Sequence, residues 1–190
     1  MKKVLCMICA VAICLGMAGC GAKRDPKALY VGDNKIISIE MSKEKIEDIL
    51  VSDDELNKSV GLDESIETYY KYYENGSILI KYTNDIPGAI ILPDEGKKYG
   101  DCFGVKPGMS FADAKKMFDN TEVEFGKLSV SDNKFIYVFF DEKNRWVNAN
   151  ELSNEERDEK VKYFIGYTLD ESKKNIDDVY LSYKDTSEQD

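Results

Sequence analysis

The sequence predicts an α+β fold, in which helices pack on antiparallel strands, and two observations support this prediction. Segments 41–50 and 109–118 both have the apolar spacing of a helix that buries one face. In the first segment that face carries Ile46, Ile49 and Leu50. Strand-like runs rich in aromatic and branched residues follow each helix, with turn-forming residues between them.

The two helical segments resemble each other. Met41-Ser42 aligns with Met109-Ser110, and the apolar positions that follow coincide. Ser42 and Ser110 are natural helix N-caps. Asp113 stands three residues after Ser110, which is the spacing of a capping box. We therefore predict two helices that begin after these serines, although two amphipathic helices can also resemble each other by chance.

The strands after the first helix are predicted at 67–73, 78–82 and 89–92. Asn75-Gly76 is a strong hairpin signal between the first two, and 84–88 has the composition of the next turn. The strands after the second helix are predicted at 122–130, 135–140, 161–169 and 176–183. A short helix capped by Ser153 and Glu156 is predicted in the polar insert before 161.

This order gives two tandem units, each a helix followed by an antiparallel β-meander. Gly108-Met109-Ser110 and Met41-Ser42 resemble the helix starts in the repeats of the beta-lactamase inhibitory protein and of the SmpA/OmlA group of outer-membrane assembly lipoproteins. The resemblance implies a sheet face that binds another protein, without catalysis.

The first residues have the features of an export signal. Lys2 and Lys3 precede the apolar run 4–17, which is shorter than the about 20 residues that span a bilayer. Met17-Ala18-Gly19-Cys20 resembles the lipobox of bacterial lipoproteins. The resemblance implies a lipid anchor on Cys20, with acyl chains such as palmitate, and cleavage just before it. The alternatives are a signal peptide cut elsewhere or an uncleaved membrane helix.

The signal and the two units give the following division of the chain: signal peptide 1–19, tether 20–35, first unit 36–100, second unit 101–183 and acidic tail 184–190. The implied anchor predicts a location at a cell membrane, on the extracytoplasmic side. Cleavage would remove two lysines and three of the five cysteines. With Cys20 lipidated, Cys102 is the one thiol left, and we interpret it as a buried apolar residue rather than a link between chains.

Composition excludes several function classes. Acidic residues outnumber Lys and Arg by 36 to 26, so phosphate backbones are repelled and nucleic acid is not an expected partner. The sequence contains no histidine, so Ser-His-Asp and Cys-His catalysis and histidine-bound metal sites are impossible within this chain. We predict no catalytic residues, no metal and no cofactor.

Tyrosine is concentrated on one predicted hairpin. By strand alternation, Tyr70 and Tyr72 face one side of the sheet, and Tyr69 and Tyr73 face the other. One face can pack on the helices, while the other is either ordinary amphipathic surface, a second core layer or a contact face. The candidate binding residues are Tyr69, Tyr70, Tyr72, Tyr73, Tyr82 and Tyr137.

The expected function is a membrane-anchored, non-catalytic binding module of the cell envelope, whose partner is an envelope protein or a glycan. The alternatives are a wall-active hydrolase and a lipoprotein that binds a small ligand. A hydrolase should show a deep polar pocket with perturbed acids, whereas a binding module should show a flat or concave aromatic sheet.

Overall fold

The computed structural model describes residues 25, 27–32, 35–94, 100–118, 126–129, 134–143, 145–147, 152–172 and 174–183. The predicted signal peptide, Cys20 and the tail 184–190 lie outside these residues. The helices are α1 (Lys43–Glu47), α2 (Asp54–Ser59), α3 (Phe111–Phe118) and α4 (Asn154–Lys160). The strands are β1 (Ala28–Val31), β2 (Lys35–Ser38), β3 (Thr68–Tyr73), β4 (Ile78–Thr83), β5 (Ile86–Leu92), β6 (Gly100–Cys102), β7 (Gly126–Ser129), β8 (Lys134–Phe140), β9 (Trp146–Val147), β10 (Tyr163–Leu169) and β11 (Ile176–Tyr183).

The strands form two antiparallel sheets. The large sheet has the order β3-β4-β5-β11-β10-β8-β7, with β9 also paired to β8. The small sheet has the order β2-β1-β6. Helices and antiparallel sheets together confirm the predicted α+β class. Within the described residues, no helix is long and apolar enough to cross a membrane.

The predicted division of the chain needs two corrections. Residues 28–31 were expected in the tether, but they form β1, whose Leu29 and Val31 are buried, so the fold begins before Ile36. The boundary at residue 100 does not separate two bodies. β1 pairs with β6 across it, and β5 pairs with β11 in the middle of the large sheet. The arrangement as two tandem helix-plus-meander units is therefore not confirmed.

Local signals account for the hairpins. Glu74, Asn75 and Gly76 all have positive φ, which is the backbone that the Asn-Gly signal favours. Asn84 and Asp85 also have positive φ and join β4 to β5 in a two-residue turn. The predicted turn at 84–88 was too long, because β5 starts at Ile86 and includes Pro87 and Gly88.

The helix caps follow the sequence. The Ser42 side chain accepts a hydrogen bond from the Lys45 amide, and Ser110 Oγ accepts one from the Asp113 amide. Ser153 forms a full capping box with Glu156, which confirms the predicted short helix in the insert. The first helix is shorter than expected, since α1 ends at Glu47.

One core lies between the large sheet, the small sheet and the helices. It combines apolar side chains from both halves of the chain, including Leu29, Ile46, Ile80, Ile165 and Leu181. Cys102 is also part of it, with no exposed surface, and its Sγ donates to the Ala28 carbonyl at 3.7 Å. Its burial agrees with the interpretation of this thiol as a core residue.

Candidate binding face and lysine–carboxylate network

The hairpin β3–β4 separates its tyrosines onto two faces. Tyr69 and Tyr73 are 6% and 0% exposed and belong to the core. Tyr82, opposite Tyr69, is also buried, and the two rings stack with centroids 5.5 Å apart. Tyr70 points the other way and is 46% exposed, while Tyr72 is half-buried. Of the five tyrosines on this hairpin, two therefore remain available at the surface.

The strand register extends the surface of Tyr72 across the large sheet. Tyr72 pairs with Leu79, Leu79 with Ile91, and Ile91 with Tyr180. All four side chains are half-buried, between the exposure of core residues and that of free surface. Together with Tyr70 they define what we call the outer face, which consists of Tyr70, Tyr72, Leu79, Ile91 and Tyr180. It is an aromatic and aliphatic strip that crosses β3, β4, β5 and β11.

Neighbouring positions border the outer face with charged and uncharged side chains, and the Asp178 carboxylate accepts a hydrogen bond from the Tyr180 hydroxyl at 3.0 Å. Lys81 lies between Tyr70 and Ala89 in the cross-strand register. Ile86 pairs with Thr83 and is 65% exposed. At the far side of the strip, Tyr180 pairs with Gly166, and Gly166 pairs with Tyr137. Tyr137 thus lies in the same row of the sheet, although its side chain is outside the described part.

The opposite side of the hairpin holds a network of charged and phenolic groups. Lys43 of α1 donates to Glu64 at 2.8 Å, to the Tyr69 hydroxyl at 2.9 Å and to Asp85 at 3.0 Å. Its Nζ also lies 5.3 Å from the centroid of the Tyr69 ring and 5.8 Å from that of Tyr82. The Tyr69 hydroxyl donates in turn to Asp85.

A second lysine is joined to the first by Glu64. Lys71 of β3 donates to Glu64 at 2.9 Å and to Glu47 of α1 at 2.8 Å. Glu47 also accepts from the Tyr73 hydroxyl at 3.3 Å, and the Tyr73 and Tyr82 hydroxyls are 2.9 Å apart. The network thus connects α1, the loop before β3, the β3–β4 hairpin and the turn that follows β4.

Hydrogen bonds favour the charged forms of Lys43, Lys71 and Glu64 in this network. Burial opposes the charge of Lys43, but its hydrogen bonds to Glu64, Tyr69 and Asp85 outweigh burial and raise the pKa of its ammonium. In Lys71 the bonds to Glu47 and Glu64 likewise outweigh burial and raise the pKa. Hydrogen bonds from Lys43 and Lys71 lower the pKa of Glu64. A lysine that acts as base or nucleophile needs a lowered pKa, so these two lysines are suited to holding structure together.

Of the six tyrosines predicted as candidate binding residues, Tyr69, Tyr73 and Tyr82 are buried in the core, and the prediction did not include Leu79, Ile91 and Tyr180. The alternation of side chains within each predicted strand indicates on which face of the sheet Leu79, Ile91 and Tyr180 lie. The pairing of β5 with β11, which brings Ile91 next to Tyr180, joins segments far apart in the chain and left no local signal. The lysine–carboxylate network was missed for the same reason.

Within the described residues, no cluster of Cys, Asp and Glu side chains is arranged to hold a metal ion. No protein-family model matches this chain, and neither the curated proteins nor the solved structures contain a significant match to it.

Proposed function

We propose that this protein is a lipid-anchored lipoprotein of the cell envelope whose outer face binds a protein partner. The observation that carries the proposal is the continuous row Tyr72–Leu79–Ile91–Tyr180, which remains partly exposed on the sheet face opposite the core. Contiguous apolar surface rimmed by polar groups is typical of interaction sites, and tyrosine is enriched in their centres.

The charge distribution favours a protein over an acidic polymer. The chain carries a formal net charge of −10, and the charged groups beside the outer face include Lys81, next to Tyr70, and the Asp178 carboxylate, which accepts a hydrogen bond from the Tyr180 hydroxyl at 3.0 Å. A polyanionic glycan would be repelled, whereas a protein with an apolar patch would bury Tyr72, Leu79 and Ile91 against its own surface. The raised pKa values of Lys43 and Lys71 give no support to an enzyme at the other face.

We further propose that the fold arose from two tandem helix-plus-meander units. α1 precedes the three-stranded meander β3-β4-β5, and α3 precedes the strands β7, β8, β10 and β11, which are neighbours in the large sheet. The last strands of the two meanders, β5 and β11, pair antiparallel at the centre of the sheet. Antiparallel pairing of equivalent strands is what an approximate two-fold relation between two units requires.

The anchor is tested by replacing Cys20. The Cys20→Ser variant should lose the lipid, leave the membrane fraction and partition into the aqueous phase of a detergent extraction, because a thioether requires the thiol. Partitioning like wild type would show that the chain is not held by lipid on Cys20.

The binding face is tested by photo-crosslinking in intact cells. Tyr70 is replaced by p-benzoylphenylalanine, an aromatic residue that fits an exposed strand position, and Lys45 on the exposed side of α1 receives the same residue as control. We expect a discrete protein adduct from position 70 and none from position 45. Equal labelling from both positions, or no adduct from position 70, would contradict the proposed face.

A further inference from the structure

The edge strand β3 is covered by its own chain along only part of its length. The Tyr72 carbonyl accepts from the Asp53 amide at 3.0 Å, and the Tyr72 amide donates to Asn57 at 2.9 Å. Tyr73 forms a bridge with Ser52. β3 ends the strand order of the large sheet, and within the described residues its first half pairs with β4 alone. In the described part of the chain, the outer edge of this half is therefore exposed.

Thr68 and Tyr70 direct their backbone groups to this exposed edge. The amide and carbonyl of Tyr72 point away from β4, because they bond to the segment 53–57. Backbone groups in an antiparallel strand alternate in direction from one residue to the next, so the residues two and four positions earlier point the same way. Both side chains are exposed as well. We call the segment 68–70 the open edge.

A second copy of the chain matches the open edge in one register. An antiparallel pair about a two-fold axis at Tyr69 places Thr68 of each copy opposite Tyr70 of the other, so that their outward backbone groups bond to each other. An axis at Tyr70 would place Thr68 opposite Tyr72, whose backbone groups are already bonded. An axis at Thr68 would place Tyr70 opposite Ile66, whose amide is bonded within its own turn. The axis at Tyr69 is therefore the one that satisfies the open edge.

The same register pairs opposite charges. It places Glu67 of each copy opposite Lys71 of the other, on the sheet face that carries Tyr69. Glu67 is exposed and accepts from the Asn84 side chain at 3.2 Å, while Lys71 is half-buried. Opposite charges that face each other stabilise a strand pair, whereas like charges destabilise it. The match offsets part of the repulsion between two chains that each have a formal net charge of −10.

We propose that two copies of the chain pair through their open edges, with Thr68 opposite Tyr70, into one continuous antiparallel sheet. The two-fold axis is then perpendicular to the sheet, so the outer faces of both copies lie on the same side. Tyr70 and Tyr72 of both copies lie near the axis on this joint face. One short strand pair is small beside the about 1,200–2,000 Å² of stable interfaces, so the dimer exchanges with the monomer. The dimer does not depend on a partner protein at the outer face.

Register-specific disulfide formation in intact cells tests the pairing. Two differently tagged copies of the full-length chain are co-expressed, one with Thr68→Cys and the other with Tyr70→Cys. In the proposed register the Cα atoms of these positions are about 5.5 Å apart, a separation that a disulfide spans. Cys102 is buried, and the tagged chains without an introduced cysteine give the background.

The matched controls are two copies with Thr68→Cys and two copies with Tyr70→Cys. Like positions are offset by two residues along the strands, which separates their Cα atoms by about 8 Å, beyond the about 7 Å that a disulfide bridges. We expect a clearly higher yield from the mixed pair than from either control under mild oxidation. Equal yields, or no link from the mixed pair, overturn the proposed register.

A charge reversal tests the same register without a change at the paired backbone. Glu67→Lys in both copies turns the two attractive pairs into repulsive ones and should reduce the mixed disulfide by about tenfold. Glu55→Lys, on the exposed side of α2, makes the same change in net charge and should leave the yield unchanged. Both side chains are exposed, so the urea midpoints should stay near that of the wild type. Equal yields from the two folded variants contradict the proposed pairing.

Discussion

Tyr72 and Tyr73 are neighbours in the chain but lie on opposite faces of the large sheet. Tyr73 has no exposed surface, and its hydroxyl is 2.9 Å from that of Tyr82, whereas Tyr72 is half-buried on the outer face. Because side chains alternate along β3, Tyr73 packs in the core and stabilises the fold, whereas Tyr72 lies on the face of the proposed contact.

This pair gives the first prediction. Tyr73→Ala removes a fully buried ring and should lower the free energy of unfolding by about 3–5 kcal/mol. Tyr72→Ala should lower it by no more than about 1 kcal/mol, since the ring retains contact with solvent in the native fold. Urea denaturation of the two variants measures both values. A large loss for Tyr72→Ala would mean that the outer face is covered.

The second prediction concerns Lys43. Lys43→Met removes the hydrogen bonds to Glu64, Tyr69 and Asp85, and it should lower the free energy of unfolding by about 1–2 kcal/mol. The expected loss is modest because Glu64 and Asp85 are partly exposed to water, which weakens their ion pairs with Lys43. Lys45→Met, on the exposed side of the same helix, is the matched control and should change stability by less than about 0.5 kcal/mol. Identical urea midpoints for both variants would show that the network does not stabilise the packing of α1 on the large sheet.

The third prediction is the pH dependence of the network. Hydrogen bonds from Lys43 and Lys71 lower the pKa of Glu64, and bonds from Tyr69 and Lys43 lower that of Asp85. A carboxyl whose pKa is lower in the folded state stabilises the fold above its unfolded pKa, near pH 4, and loses that contribution as the pH falls. The raised pKa of Lys43 extends its own contribution through neutral pH and into alkali. The urea midpoint should therefore be flat near neutrality and fall below about pH 4.

Lys43→Met provides the check on this pH dependence. Without the ammonium, Glu64 and Asp85 lose one of the groups that lower their pKa values, so the fall in midpoint on acidification should be smaller than in Lys45→Met. Parallel acid curves for the two variants would assign the pH dependence to carboxyls elsewhere.

The fourth prediction concerns Asn57, which closes the edge of the large sheet. Asn57 of α2 is buried; its side-chain oxygen accepts from the Tyr72 amide at 2.9 Å, and its Nδ2 donates to the Tyr72 carbonyl at 3.2 Å. Asn57→Ala should lower stability by about 1–3 kcal/mol and promote aggregation, because it leaves the Tyr72 amide of an edge strand without its partner, while the Tyr72 carbonyl keeps the Asp53 amide at 3.0 Å. Faster hydrogen exchange of the Tyr72 amide, measured by NMR, identifies the cause. An unchanged exchange rate would rule out this protection.

Local signals in the sequence were sufficient for the parts of the fold that depend on neighbouring residues. The Asn75-Gly76 turn, the caps at Ser42 and Ser153 and the strand at 176–183 were all predicted. In each case the residues that determine the backbone are within a few positions of one another.

The parts that depend on distant pairing were missed. β1 and β6 are short strands from distant parts of the chain that pair with each other, and neither has a pattern of its own. The side chain of Asn57 accepts a hydrogen bond from the backbone of the edge strand β3, which comes later in the sequence, so no local pattern indicates this contact. The predicted binding residues were six tyrosines without the aliphatic side chains between them, because the contacts of Ile91 with its neighbours on β4 and β11 depend on the register of three strands.

The central claim is that the side chains of the outer face contribute to binding a partner and not to the stability of the fold. One measurement tests this claim most directly. The photo-crosslinking residue is placed at Tyr180, at the other end of the strip, and its adduct is quantified in cells with and without the double substitution Tyr70→Ala/Tyr72→Ala. If the tyrosines are contact hot spots worth about 2 kcal/mol or more, the adduct should fall by at least about tenfold while the urea midpoint stays near that of the wild type. An undiminished adduct from a folded double variant would contradict the account.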